Sequence, residues 1–434
     1  MTAGNSAVLP GESSEAGNPF STTQPAPPFA GRSELLARLH QHLTSAAVPH
    51  ALTLLGRRRS GRTAFIEAAR RRFDESFVWA TPDLGAVGDD SAWLHALYQS
   101  GKDAASARGL SVHRLPRWPD EKTPSEQRAW LQDSGLPELF QLIRPHRRLI
   151  WVVDGAEPLA EAVARGTLQA DLGEWMTGLV GTQLGILFTA HVDNEASLAR
   201  LTPLVNPSNT FRLGALNEEE TAELLAFGRG DPEETMAKQV HALTGGLPEL
   251  ALKSAAAVHE VSKGEAYSPA HLKQVRAGLA AEAAPYFRSL WENLSADEQA
   301  VMTALAYLRF ERPAAALNAE DVEARLADSD YPLDLTAIFA VLRRLEFVDI
   351  VSGTHKDVSI RAGLFESWIR ETVKPEHLRR MTIEMPAAAV DPQVARYGVI
   401  VLLVVLAILL IIAASGQPAP GNNDVIVPTV TLGN

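Results

Sequence analysis

The chain of 434 residues contains no cysteine. That removes disulfides, thiolate metal sites and thiol nucleophiles together, and it fits a reducing compartment. Lysine is scarce, with 8 residues against 32 arginines. That bias, with abundant alanine, fits a GC-rich bacterial genome. A net charge of −12 argues against a protein coated in nucleic acid, although a local basic face stays open. The 12 histidines form no H-E-x-x-H or clustered ligand spacing, and no G-x-S-x-G signature occurs. No metal is therefore expected beyond one carried by a nucleotide. No basic stretch followed by an apolar one opens the chain, so a secretory signal is not expected. Residues 1–28 hold two acids and no base, and are rich in Gly, Pro, Ser and Thr. They cannot bury enough surface to fold and are expected to form a disordered lead.

What remains is ordinary globular sequence, 46% apolar and 21% charged, long enough for two or three domains. The apolar run Ala51–Leu55 ends at Gly56, and an amphipathic helix begins near Arg62 with Phe65, Ile66, Ala69 and Phe73 on one face. Between them Gly56-Arg57-Arg58-Arg59-Ser60-Gly61-Arg62-Thr63 fits the P-loop pattern G-x-x-x-x-G-K-[ST] everywhere except Arg62, where Lys is usual. Two glycines let the backbone wrap phosphates, so that N–H groups and a helix N-terminus face the anion. Thr63 would offer its hydroxyl to Mg²⁺. Arg62 keeps the charge of the usual lysine but is longer and planar. Nucleotide binding can survive that exchange while phosphoryl transfer suffers.

A second apolar strand is expected over Ser76–Ala80, and residues 82–130 are expected to hold one helix and a long loop. Leu149-Ile150-Trp151-Val152-Val153-Asp154 is a buried strand ending in an acid, the form that delivers a carboxylate beside a P-loop to hold Mg²⁺. Gly185–His191 and Thr210–Leu213 complete five strands separated by helical stretches, which implies an α/β doubly wound parallel sheet. Downstream the pattern turns helical. Asn217 can cap a helix led by Glu218, Glu219 and Glu220, and Gly245-Gly246-Leu247-Pro248 breaks the run. Ser295 and Glu298 make a capping box, and Asp334 can cap a further helix. Phe347–Val351 and Asp357–Arg361 then flank a hairpin signal at Gly353-Thr354-His355-Lys356. Three helices and a hairpin follow the winged-helix order.

These residues resemble a STAND-type P-loop NTPase of the wider AAA+-like group over roughly residues 28 to 375. Phe29-x-Gly31-Arg32 is similar to the family's box before the P-loop, which lies against the nucleotide base. Gly246-Leu247-Pro248 is similar to its GxP motif in the helical lid, and a winged helix after the lid is usual. The resemblance implies a P-loop NTPase domain over 29–213, a lid over 214–283 and a winged-helix domain over 284–378. It implies ATP or ADP with Mg²⁺ as ligand. Gly56, Ser60, Gly61, Arg62 and Thr63 would hold phosphates, Thr63 and Asp154 the metal, and Arg32 and Pro248 the base. Gly155 stands where many members carry a second acid, leaving Glu157 as the nearest carboxylate to orient water. With Thr189-Ala190-His191 where a polar sensor often sits, and Arg62 in the P-loop, weak or absent hydrolysis is expected. Self-association or a protein partner would carry the output. Arg343 and Arg344 are a thin footprint for DNA, so DNA is not an expected partner. A membrane-anchored winged-helix regulator and a scaffold without nucleotide are the alternatives.

Residues 397–414, YGVIVLLVVLAILLIIAA, carry no charge and no polar stripe. As a helix they would extend about 27 Å, against a hydrocarbon core of roughly 30 Å. One membrane span is expected there, with 379–396 as juxtamembrane linker and 415–434 as tail. Arg361, Arg370, Lys374, Arg379, Arg380 and Arg396 precede the span, and the tail carries neither Lys nor Arg. The positive-inside rule then places the N-terminal domains in the cytoplasm and the short tail outside the cell membrane.

Overall fold

The computed structural model describes residues 18–21 and 28–374, apart from 46–50, 145–147, 204, 206, 230–233, 332 and 354–356. The described residues all fall within one compact unit, Met1–Leu378. The expected linker, span and tail lie outside the described residues, among which no helix is long and apolar enough to cross a membrane.

Five short strands build the sheet that positions everything else. They are β1 (Ala51–Gly56), β2 (Phe77–Ala80), β3 (Arg148–Asp154), β4 (Leu184–His191) and β5 (Thr210–Leu213). All pair in parallel, in the order β2-β3-β4-β1-β5. Because both faces are covered, the central strands read as continuous apolar runs, and alternate residues serve opposite cores. Leu52, Leu54, Ile150, Val152 and Leu187 face one core. It is closed by α1 (Ser33–Thr44) through Leu36, Leu39 and Leu43, and by α2 (Arg62–Arg72) through Phe65, Ile66 and Ala69. Leu55, Trp151, Val153 and Phe188 face the other.

That second core is covered by α3 (Asp90–Ala107), α4 (Pro124–Trp130), α5 (Leu136–Ile143), α6 (Glu157–Arg165) and α7 (Leu172–Leu179). Residues 82–130 thus hold two helices rather than the one expected. Thr123 and Glu126 form a reciprocal capping box with Pro124 in the first turn, which starts α4 where the apolar pattern is weak. In α3, Trp93, Leu94, Leu97 and Tyr98 are fully buried, and the Trp151 indole donates to Leu97 O at 3.2 Å.

The helical half comprises α8 (Glu218–Arg229), α9 (Glu234–Thr244), α10 (Pro248–Ser262), α11 (Pro269–Glu292), α12 (Ala296–Glu311), α13 (Ala319–Ala327) and α14 (Leu335–Phe347). The antiparallel pair β6 (Val351–Ser352) and β7 (Ser359–Ile360) follows, then α15 (Gly363–Thr372). Asn217 and Glu220 cap α8 reciprocally, and Ser295 with Glu298 and Asp334 cap α12 and α14 as their spacing predicts. Phe347 belongs to α14 and not to the hairpin, because the helical spacing of Ile338, Leu342 and Leu345 carries on to it; the strand begins only after the left-handed Asp349. The expected lid boundary at 283/284 falls inside the continuous α11. Part of the lead expected to stay disordered is placed against the lid. Phe20 is buried beside Gly228, with its ring edge-on to His259, since this aromatic finds an apolar slot there.

Candidate functional site

The loop from Gly56 to Thr63 joins β1 to α2 at the C-terminal edge of the sheet. Its conformation depends on its glycines. A Cβ on Gly56 would lie 2.5 Å from Ser60 Oγ and 2.9 Å from Arg62 Cγ, and Gly61 sits at φ +85°. Gly61 is also the N-cap of α2, and no side chain caps that helix. The N–H groups of its first turn therefore have no intrahelical acceptor and carry the positive end of the helix dipole. Ser60 Oγ and Arg62 Nη1 are buried polar atoms without a partner. An open helix end and two unanswered polar groups are what a bound phosphate would satisfy.

Next to the loop, β3 ends at the exposed Asp154. Thr63 Oγ1 donates to its Oδ2 at 3.3 Å and Thr189 Oγ1 to its Oδ1 at 2.6 Å. Thr189 accepts from Gly155 N at 2.9 Å, so the carboxylate is held from both sides. Sheet register explains the Thr189 contact, because Asp154 and Thr189 are direct partners on β3 and β4. The two residues expected to hold a metal are thus brought together, and their oxygens are the hard donors that Mg²⁺ takes.

Arg62 points along β4. Its Nη2 lies 2.9 Å from His191 Nε2, at the position where register pairs Gly56 with His191. Burial lowers the Arg62 pKa, opposed by Glu157 and Asp154. Burial, then the Arg62 charge, also pushes the His191 pKa below its ordinary value. A neutral imidazole accepts from a guanidinium, and a protonated one repels it. Glu157, expected near the reacting water, accepts from the His191 backbone N–H at 2.6 Å and so fixes the end of β4. A pH dependence follows. The depressed His191 pKa contributes stability that is complete above about pH 6.5, the unfolded value, and lost as pH falls through the folded one. His40 and His241 are also lowered by burial. The share of His191 is read by comparison: His191→Gln should flatten the fall of melting temperature between neutral pH and pH 5. An unchanged profile would remove the histidine from this account.

An apolar cavity of about 220 Å³ opens between the loop and the lid, lined by Phe29, Ala30, Gly61, Ala64, Leu216, Pro248 and Leu252. Pro248 starts α10 after Gly245 and Gly246, which sit at φ +65° and +68°. A side chain on Gly246 would collide with Leu216 O, so the turn seats the lid on the end of the sheet. Arg32 also lines the cavity, but its guanidinium turns away, donating to Ser60 O at 3.2 Å and Gly214 O at 2.7 Å. Its backbone N–H donates to Glu220 Oε1 at 2.6 Å. Burial pushes the Arg32 pKa down to about 10 against the opposing charges of Glu220 and Asp349. Arg32 thus clamps loop, sheet and lid together.

Sequence reasoning marked Thr189-Ala190-His191 only as the place of a polar sensor, and missed the Thr189–Asp154 and Arg62–His191 contacts and the outer arginines of the loop. Arg59 occupies a left-handed φ of +69°, held by an ion pair to Glu249 at 2.8 Å and by the Tyr286 ring at 4.6 Å. Only the basic run itself signalled these contacts, since their partners lie far along the chain.

No protein-family model matches the chain, and no curated protein matches its sequence. Solved structures do. The Walker-type ATPase paby2304 of Pyrococcus abyssi is similar over 79% of this chain and 96% of its own, with TM-score 0.54 and 14% identity. The ORC2 protein of Aeropyrum pernix, in ADPNP–ADP complexes, matches 84% of this chain and 96% of its own at 12% identity and TM-score 0.47. A STAND protein with a tetratricopeptide repeat sensor, PH0952 from Pyrococcus horikoshii, matches 82% of this chain and 44% of its own at 13% identity and TM-score 0.33. The first of these sets the fold. The chain has the parallel-sheet α/β fold of a P-loop NTPase.

Proposed function

We propose that the protein is a STAND-like nucleotide switch that takes Mg-ATP or Mg-ADP between sheet and lid. The observation that carries this is the uncapped N-terminus of α2 standing between the Thr63–Asp154 pair and the apolar cavity under Pro248. Backbone amides of Gly56–Thr63, Ser60 Oγ and Arg62 would bind phosphates. Thr63 and Asp154 would serve Mg²⁺, which when bound neutralises phosphate charge. The base would fill the cavity beside Phe29 and Pro248, walled by the aliphatic part of Arg32. Such a site couples to conformation because the lid and the sheet each supply one wall, so a ligand that contacts them differently in two arrangements shifts their balance.

Turnover should be slow. Arg62 is engaged with His191, Gly155 offers no carboxylate, and Glu157 is committed to a backbone N–H. Purified full chain is expected to release phosphate barely above background, with Asp154→Ala making little difference. Brisk release abolished by that substitution would refute slow turnover. The output would be self-association or engagement of another protein. A single unchanged oligomeric state with ATP and with ADP, read by sedimentation, would remove the first.

The order of α12, α13, α14 and the β6–β7 pair supports reading residues 284–378 as a winged helix that packs within the molecule. The uncharged run 397–414 supports a single span, with the nucleotide domain on the cytoplasmic side. Protease added to intact spheroplasts should remove a tag placed after Asn434 and spare residues 29–378. Digestion of those residues from outside would overturn the orientation.

A further inference from the structure

A larger cavity, of about 750 Å³, shares only Arg59 with the one assigned to the base. The loop arginines Arg57, Arg58 and Arg59 form one wall, α11 forms another through Tyr286 and Ser289, and α14 adds Arg344. Two acids also line it, and both are engaged. Asp193 pairs with Arg344 at 3.0 Å, and Glu298 accepts from Ser295 N at 2.8 Å as part of its helix cap. Arg58 is exposed and, among the described residues, has no ion pair. Arg57 and Tyr286 are 6% and 7% exposed, and each keeps a buried polar atom unpartnered, Nη2 and the hydroxyl. Cationic charge therefore exceeds what the protein itself neutralises here.

We propose that this cavity is a second anion site, distinct from the phosphate cradle, for a small molecule bearing phosphate groups. Several guanidinia presented from different elements suit a multiply charged oxyanion, because each fork binds two oxygens and an isolated carboxylate would satisfy only one of them. The volume is that of a small-molecule pocket. A ligand there joins the P-loop to α11 and α14, so it would tie the nucleotide loop to the C-terminal helices. The inference stands apart from the nucleotide reading, because Arg59 is the one residue that lines both this cavity and the one assigned to the base.

Tripolyphosphate is the probe, titrated by calorimetry into purified full chain in mild detergent, with and without saturating Mg-ADP. It should bind the ADP-loaded protein. Ser289→Trp, which fills the cavity from the exposed face of α11, and Arg344→Glu, which reverses one charge, should each weaken it at least about tenfold, the worth of one charged hydrogen bond. Affinity for Mg-ADP, measured separately, should stay unchanged in both variants. Tripolyphosphate that binds only the ADP-free protein, or binds both variants as well as the parent, would overturn the proposal. Failure of ADP itself to bind would sink the nucleotide reading while the two variants still decide this one.

Discussion

Arg62→Ala is expected to weaken Mg-ADP binding by at least a hundredfold while leaving the fold in place. Arg62 is the first residue of α2, and its buried Nη1 lacks a partner beside the cradle. Two charge-assisted bonds to phosphate, each about 1.5–3 kcal/mol, correspond to that loss. The helix survives because alanine is the best helix former and its N-terminus has no side-chain cap to lose. Arg62→Lys should keep nucleotide and leave turnover unchanged or raised, since a compact ammonium on a flexible stem can leave His191 for the phosphates. Calorimetry on the two variants, with circular dichroism as the check on folding, separates the outcomes. Alanine binding as tightly as the parent would show that Arg62 serves His191 alone.

Gly56→Val should abolish nucleotide binding at millimolar concentration and lower the melting temperature by several degrees. The new Cβ would meet Ser60 Oγ at 2.5 Å and Arg62 Cγ at 2.9 Å, so the loop must open. Overpacking of that kind costs about 1–3 kcal/mol. It also moves the amides that face the anion. Gly278→Ala supplies the contrast. Within 4 Å of a Cβ there nothing is met, and the residue lies inside α11, so alanine should stabilise by about 0.5–1 kcal/mol. Equal melting temperatures for the two variants would mean that the loop tolerates what the geometry forbids.

Much of this site was legible because its parts are local. The P-loop octapeptide, the apolar strand ending in Asp154 and the Gly246-Leu247-Pro248 turn are short patterns whose geometry follows from residue type. The central strands β1, β3 and β4 read correctly because burial on both faces keeps them almost wholly apolar. What could not be read is adjacency. The alternation of a strand says which face a residue takes, not which strand lies beside it. Only the insertion of β4 between β1 and β3 puts Thr189 against Asp154 and His191 against Arg62. The contacts from Arg57 and Arg59 to Tyr286 need the packing of α11 over the loop, which no local pattern encodes. The start of α4 is a different case. Its Thr123-Pro124-x-Glu126 box was present in the sequence but was hidden among prolines that suggested a loop.

The central claim is that the chain binds a nucleotide with Mg²⁺, and titration of ADP into the purified full chain tests it most directly. The account predicts one site, weaker without Mg²⁺ and weaker in Asp154→Ala. It also predicts a rise in melting temperature equivalent to roughly 2.7 kcal/mol at a hundred times the Kd. No heat and no melting shift with millimolar ADP or ATP would contradict it.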